Sequence, residues 1–174
     1  MKRAKVATVW LDGCSGCHMS LLDMDAALID VSRKIEIVYG PLVDAQEVPE
    51  DIDVTLVEGA VANKEDVAQI QKLRSHTKFL IALGDCAVTS NVPAMRNTIP
   101  VNRLLQRVYA NGESTTIPSD GVPQLLKQAR PVHEFVKVDL HVPGCPPPAK
   151  AILGVLSDLL AGKKPDINGK LKFG

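Results

Sequence analysis

Short apolar runs alternate with amphipathic segments along this chain, and each type of segment predicts one kind of element. Strands are expected where β-branched and other apolar residues cluster, at residues 5–11, 35–39, 53–58, 78–83 and 136–142. Helices are expected at residues 17–33, 63–76 and 149–161. Asn63 is a suitable N-cap for the second helix, because its side-chain oxygen can accept a hydrogen bond from the first turn.

The predicted strands are nearly continuous apolar runs, without regular alternation of polar and apolar positions. Such runs are typical of parallel strands that are covered on both faces. We therefore expect an α/β fold, a flavodoxin-like open parallel sheet with helices on both faces. The 174 residues suit one domain, which we expect to span residues 1–174.

The pattern weakens between residues 88 and 130, where we expect an irregular insertion within this domain. The region and its border contain Pro93, Pro100, Pro118, Pro123 and Pro131. An Asn111-Gly112 pair also indicates a turn. Long connections of this kind are often binding loops, so the insertion is a candidate contact with a partner protein.

Charge and composition narrow the function classes. Lys plus Arg number 20 and Asp plus Glu number 20, which argues against a nucleic-acid-binding protein. No apolar run approaches the roughly 20 residues needed for a membrane span. The apolar stretch at residues 6–11 is too short for a signal peptide, so a cytoplasmic location is expected.

The four cysteines follow predicted strands. Cys14 and Cys17 form a close pair after the first strand, whereas Cys86 and Cys145 stand alone, each after a glycine and a later strand. Open α/β sheets place their ligand sites at the carboxyl ends of the strands. The sequence therefore predicts one four-thiolate metal centre at that edge of the sheet.

Thiolate ligands suit zinc or an iron–sulfur cluster. Structural zinc sites usually use two closely spaced pairs, and this chain has only one, which favours an iron–sulfur cluster. A structural zinc domain remains an alternative. The stretch from Cys14 to His18 also matches c-type haem attachment, which needs export and an aromatic-rich pocket, and aromatic residues make up only 3% of the chain. A thioredoxin-like pair would leave Cys86 and Cys145 unexplained.

Four segments together carry a family resemblance. They are Cys14-Ser-Gly-Cys17-His18-Met19-Ser20, Leu56-Val57-Glu58-Gly59-Ala60, Gly84-Asp85-Cys86-Ala87 and Pro143-Gly144-Cys145-Pro146-Pro147. In this order they resemble the small subunit of a nickel–iron hydrogenase. The greatest similarity is to the short small subunit of cytoplasmic NAD-reducing (bidirectional) hydrogenases.

The resemblance implies one 4Fe-4S cluster held by Cys14, Cys17, Cys86 and Cys145. The cluster would lie next to a nickel–iron centre on a separate large subunit, where hydrogen is split. Electrons would pass toward an NAD-reducing module of diaphorase-type iron–sulfur and flavin subunits. FMN elsewhere in the complex is compatible with this arrangement.

Two departures refine the resemblance. The larger respiratory small subunits carry a twin-arginine leader and an extension with two more clusters, and we expect neither here. The four cysteines suffice for one four-cysteine cluster and leave none for another. The homologous subunit of respiratory complex I has adjacent cysteines in its first motif, whereas Ser15 and Gly16 separate them here. A complex I-like subunit and a stand-alone iron–sulfur electron carrier remain the alternatives.

The sequence gives weaker indications of the roles of other residues near the cysteines. Glu58 ends the third predicted strand, and we expect it in or next to the cluster's shell, as part of a proton route or as an alternative ligand. A capping or solvated glutamate is the plainer alternative. His18 is expected to hydrogen-bond a sulfur or a partner, Asp12 and Asp85 to form turns, and Trp10 to lie in the core.

Overall fold

Seven strands and six α-helices make up this computed structural model, which describes residues 3–110 and 116–167. The strands are β1 Ala4–Trp10, β2 Ile35–Tyr39, β3 Ile52–Glu58, β4 Val61–Asn63, β5 Thr77–Leu83, β6 Leu125–Arg130 and β7 Leu140–Val142. The helices are α1 Gly16–Leu22, α2 Ala27–Ser32, α3 Lys64–His76, α4 Asp85–Thr89, α5 Val101–Tyr109 and α6 Ala149–Leu160. Two short 3₁₀ helices span Val92–Thr98 and Val132–Glu134.

The main sheet has five strands in the order β2-β1-β3-β5-β7, and every neighbouring pair is parallel. Counting only these strands, the order is 2-1-3-4-5, which is the flavodoxin-like arrangement. The predicted fold class is therefore confirmed.

Both faces of the sheet are buried. Successive side chains along a strand point to opposite faces, and alternate residues of the central strands lie in two separate buried clusters. Val6, Leu56 and Ile81 belong to one cluster, which packs against α1, α2 and α6. Ala7, Val57 and Leu80 belong to the other, together with Ile70 and Leu73 of α3. This two-sided burial explains the continuous apolar runs in the sequence.

The predicted cap of α3 is present. The Asn63 side chain accepts a hydrogen bond from the Asp66 amide at 2.8 Å, and the Asp66 carboxylate accepts one from the Asn63 amide at 3.2 Å. This reciprocal capping satisfies amides that the helix itself leaves without partners.

The helix predicted at 17–33 is wrong in its continuity, because two helices occupy this region. Asp25 adopts a positive φ of 51°, which no α-helix contains, and the chain turns there between α1 and α2.

The strand predicted at 136–142 is shorter than expected, because β7 spans only Leu140–Val142. Asp139 just before β7 accepts the Leu80 amide through its carboxylate at 2.9 Å, so a side chain replaces the backbone carbonyl at this point of the ladder.

The segment 88–130 is more regular than the sequence predicts. Its described part contains a 3₁₀ helix, α5 and β6, and β6 pairs with β4 in a small antiparallel sheet. Asn97 fastens the 3₁₀ helix to β6, since its side chain donates to the Ala129 carbonyl and accepts from the Ala129 amide, both at 2.8 Å. The turn predicted at Asn111-Gly112 lies outside the described residues.

The sequence gives no period-2 alternation around Val61 that would reveal the short β4 strand, because Val61 and Ala62 are both fully enclosed. No helix within residues 3–110 and 116–167 is both long and apolar enough to cross a lipid bilayer. The assignment of residues 1–174 to one domain stays a prediction.

Candidate metal centre

Three loops carry the four cysteines to the carboxyl edge of the main sheet. Cys14 follows β1 and Cys17 lies in the first turn of α1. Cys86 is the second residue of α4, directly after β5, and Cys145 follows β7. Because β1, β5 and β7 are parallel members of one sheet, all three loops leave it on the same side.

The thiols are close enough to influence one another electrostatically. Burial raises the pKa of the Cys17 thiol far above its usual range, and the charges of Glu58, Cys86, Cys14 and Cys145 raise it further. Burial also raises the pKa of Cys86, an effect that the Val92 amide opposes and the nearby cysteines reinforce. Without a metal these two thiols hold their protons, and a bound cation would displace them because the thiolate is the ligating form.

Hydrogen bonds tie the Cys86 loop to the Cys145 loop. The Gly84 amide donates to the Val142 carbonyl at 2.8 Å, and the Asp85 amide donates to the Gly144 carbonyl at 2.9 Å. The Asp85 carboxylate in turn accepts the Gly144 amide at 2.7 Å. Asp85 therefore does more than form a turn, since it sets the spacing of two cysteine loops.

A further tie joins α1 to the Cys145 loop. The buried Ser20 hydroxyl donates to the Pro147 carbonyl at 2.6 Å. The sequence offered no reason to single out Ser20 apart from its place in the first cysteine motif.

The backbone of Asp12 links the segment before Cys14 to the residues after β3. Asp12 exchanges two backbone hydrogen bonds with Ala60, at 2.8 and 3.0 Å. Burial raises the pKa of the Asp12 carboxyl, and the neighbouring Arg96 opposes that effect.

Gly84 is required by the approach of Cys17. Its φ is 83°, and a Cβ atom at this position would lie 2.1 Å from the Cys17 sulfur. Gly144 has a φ of 137°, and its Cβ would lie 2.6 Å from the Pro147 Cα. Both glycines preceding the single cysteines therefore permit close approach, because they have no Cβ.

Glu58 and His18 form a buried pair beside Cys17. The Glu58 carboxylate accepts the Cys17 amide at 3.3 Å and the His18 amide at 2.9 Å, and it contacts His18 Nδ1 at 2.5 Å. Their relative exposures are only 3% and 4%. His18 Nε2 is buried and has no hydrogen-bond partner in the described part of the chain.

Trp10 is not a core residue, and that expectation was wrong. It is 39% exposed, and its ring meets the His18 ring edge-on with a centroid separation of 5.4 Å. As the last residue of β1, Trp10 lies at the carboxyl edge of the sheet.

A cavity of about 740 Å³ lies at the opposite edge of the sheet, lined by the amino ends of β1, β2, β3 and β5 and by the end of α6. Arg3, Arg33, Lys34 and Lys78 surround it, and no cysteine lines it. The thiol chemistry is therefore separate from this cavity.

The donor set at the carboxyl edge fits an iron–sulfur cluster. Four thiols on three loops lie at this edge, and the charges of other cysteines act on both Cys17 and Cys86. A cluster binds each cysteine at a different iron, so its ligands stand around a larger object than a single ion. The Val92 amide beside the Cys86 sulfur and the unpartnered His18 Nε2 add polar groups of the kind that surround clusters.

Comparison with known proteins identifies the family. Residues 14–159 match the family described as NADH ubiquinone oxidoreductase, 20 Kd subunit. The chain belongs to this family. It is 36% identical, over 95% of its length, to the delta subunit of the NAD-reducing hydrogenase HoxS of Cupriavidus necator, and it covers 82% of that protein.

A second relative is a component of the F420-non-reducing hydrogenase vhu of Methanocaldococcus jannaschii, at 40% identity over 96% of the chain. The chain spans 59% of the length of that relative. A crystal structure of an NAD⁺-reducing [NiFe]-hydrogenase in the H2-reduced state superposes with a TM-score of 0.93 at 37% identity, covering 99% of both chains. The resemblance to the small subunit of an NAD-reducing nickel–iron hydrogenase is thus confirmed.

The distance from Gly84 to the Cys17 sulfur generates a direct test. Gly84→Ala should abolish metal binding, because the added methyl group occupies the space of the thiol and also strains a positive φ. Gly162→Ala is the matched control, since Gly162 has a φ of 69° but nothing within 4 Å of its Cβ position. Iron content and thermal unfolding of both variants check the prediction. Equal iron content in the two variants would contradict it.

Proposed function

We propose that this chain is the electron-transfer small subunit of a nickel–iron hydrogenase complex, with one 4Fe-4S cluster held by Cys14, Cys17, Cys86 and Cys145. The observation that carries the proposal is the convergence of these four thiols at one edge of the sheet. The TM-score of 0.93 to a chain from an NAD⁺-reducing [NiFe]-hydrogenase supports it independently.

A bound cluster would supply one-electron redox chemistry. The chain's residues hold it and control its surroundings. Cys17 is buried, so this ligand is shielded from water, whereas Cys14 and Cys145 are exposed at the rim. The rim is thus open on one side, which suits electron exchange with a protein that covers it.

The partner that covers the rim would be the large subunit, which carries the nickel–iron centre and splits hydrogen. From the cluster, electrons would pass to an NAD-reducing module of diaphorase-type iron–sulfur and flavin subunits, with FMN held elsewhere in the complex. The names of the Cupriavidus relative and of the superposed crystal structure support NAD as the acceptor. A cytoplasmic location fits this proposal and stays a prediction.

Exposed apolar side chains mark a candidate partner surface within segment 88–130. We define the insertion face by Val92, Met95, Ile99, Val108 and Tyr109, all of them exposed. None of the residues of α5 is buried, although the helix carries apolar residues at Val101, Leu104 and Val108. Exposed apolar side chains concentrated in one stretch of the chain are a feature of protein–protein contacts. They support the predicted partner contact.

The same feature argues against a stand-alone electron carrier. Next to the cysteines, Met19 is 59% exposed and Leu22 is 44% exposed, in addition to Trp10. A protein that works alone would leave these side chains and the insertion face in water, at a cost of roughly 25 cal/mol per Å² of apolar surface. A complex would bury them.

Metal and sulfide analysis tests the cluster assignment. Anaerobically purified protein should contain about four irons and four sulfides per chain, and dithionite should produce the EPR signal of a reduced cluster. Cys86→Ser should lower the iron content and the sulfide content per chain, since it removes one thiolate ligand. One zinc per chain without sulfide would contradict the assignment and favour a structural zinc domain.

Assembly of the complex tests the insertion face. Met95→Glu should weaken co-purification with the large subunit, because Met95 is 74% exposed and a carboxylate would be buried in the contact. Ile29→Glu, on the exposed side of α2, is the matched control with 58% exposure. Pull-down yields from co-expressed subunits provide the measurement. If both variants co-purify as well as the wild type, the insertion face is not the contact.

A further inference from the structure

We propose that Glu58 is a positioning residue that lowers the reduction potential of the cluster. The inference rests on the proposed function, since it concerns a cluster held by the four cysteines. It assigns Glu58 a role different from the proton route or alternative ligand expected from the sequence.

Glu58 is held in one place by three donors. Its Oε1 accepts the Cys17 amide, and its Oε2 accepts the His18 amide and contacts His18 Nδ1. A carboxylate with both oxygens occupied in this way is not free to swing toward a metal. The contacts also fasten the end of β3 to the first turn of α1, where Cys17 lies.

The first effect on the cluster concerns hydrogen bonds. Amide groups that donate to sulfur stabilise an added electron and so raise a cluster's potential. Glu58 engages the amides of Cys17 and His18, which are the backbone donors nearest to the Cys17 sulfur along the chain. Those two donors are therefore withdrawn from the sulfur atoms.

The second effect is the charge of the carboxylate. Glu58 is almost completely buried, so little water is present to screen it. Its charge acts on the thiolates of both Cys17 and Cys86, which belong to different loops. A negative charge at this position repels an added electron. Both effects lower the potential.

An EPR-monitored redox titration of the anaerobically purified complex tests the inference. Glu58→Gln keeps the shape of the side chain but removes the charge, so the potential should shift to a more positive value. Glu65→Gln removes a charge from the exposed first turn of α3 and should leave the potential unchanged. A purely structural role for Glu58 predicts fewer clusters, with the wild-type potential in those that remain.

Each outcome decides the matter. A potential in Glu58→Gln equal to or below that of the wild type overturns the inference and leaves the proposed function intact. If Glu58→Gln does not retain a cluster after chemical reconstitution, the pair Glu58→Asp and Glu58→Asn provides the test, because these two side chains have the same length and differ in charge. A more positive potential in Glu58→Asn than in Glu58→Asp then supports the inference, and equal potentials, or no cluster in Glu58→Asn, overturn it. A wild-type chain without iron and sulfide overturns both proposals.

Discussion

The parallel direction of the five strands is the constraint on which the site depends. Because β1, β3, β5 and β7 all run the same way, the residues that follow them must share one edge of the sheet. Three cysteine-bearing segments that are far apart in the sequence lie there, and Glu58 at the end of β3 lies beside Cys17. A reversal of β1, β5 or β7 would move its cysteine to the opposite edge, where the structure has an aliphatic cavity with a basic rim.

Within that edge, hydrogen bonds between side chains and the backbone hold the cysteine-bearing segments together. Asp85 joins the Cys86 loop to the Cys145 loop, and Ser20 joins α1 to the Cys145 loop. Glu58 joins α1 to β3. The three links connect β3, α1 and the two loops in series, so movement of one cysteine would disturb the others. Under the proposed function, they would keep the ligands in place when the cluster takes up an electron.

Much of the fold and all four proposed ligands could be predicted from the sequence, because the signals are local. An apolar run followed by a glycine and a cysteine predicts a thiol at the end of a strand. Asn63 three residues before Asp66 predicts a helix cap. The missed features depend on partners that are distant along the chain. The pairing of β4 with β6, the contact between Asp85 and Gly144 and the Glu58–His18 pair each join residues separated by 40 or more positions. Local pattern also could not reveal the turn at Asp25, where aspartate is simply tolerated at positive φ.

The most direct test of the electron-relay account is a hydrogen-driven reduction of the purified complex, followed by freeze-quench EPR and NADH absorbance. The account predicts that the reduced-cluster signal of this chain appears before NADH accumulates. It also predicts that a complex assembled with the Cys17→Ser chain consumes little hydrogen with NAD as acceptor. NADH formation at the wild-type rate in a complex whose small subunit lacks its cluster would contradict the account.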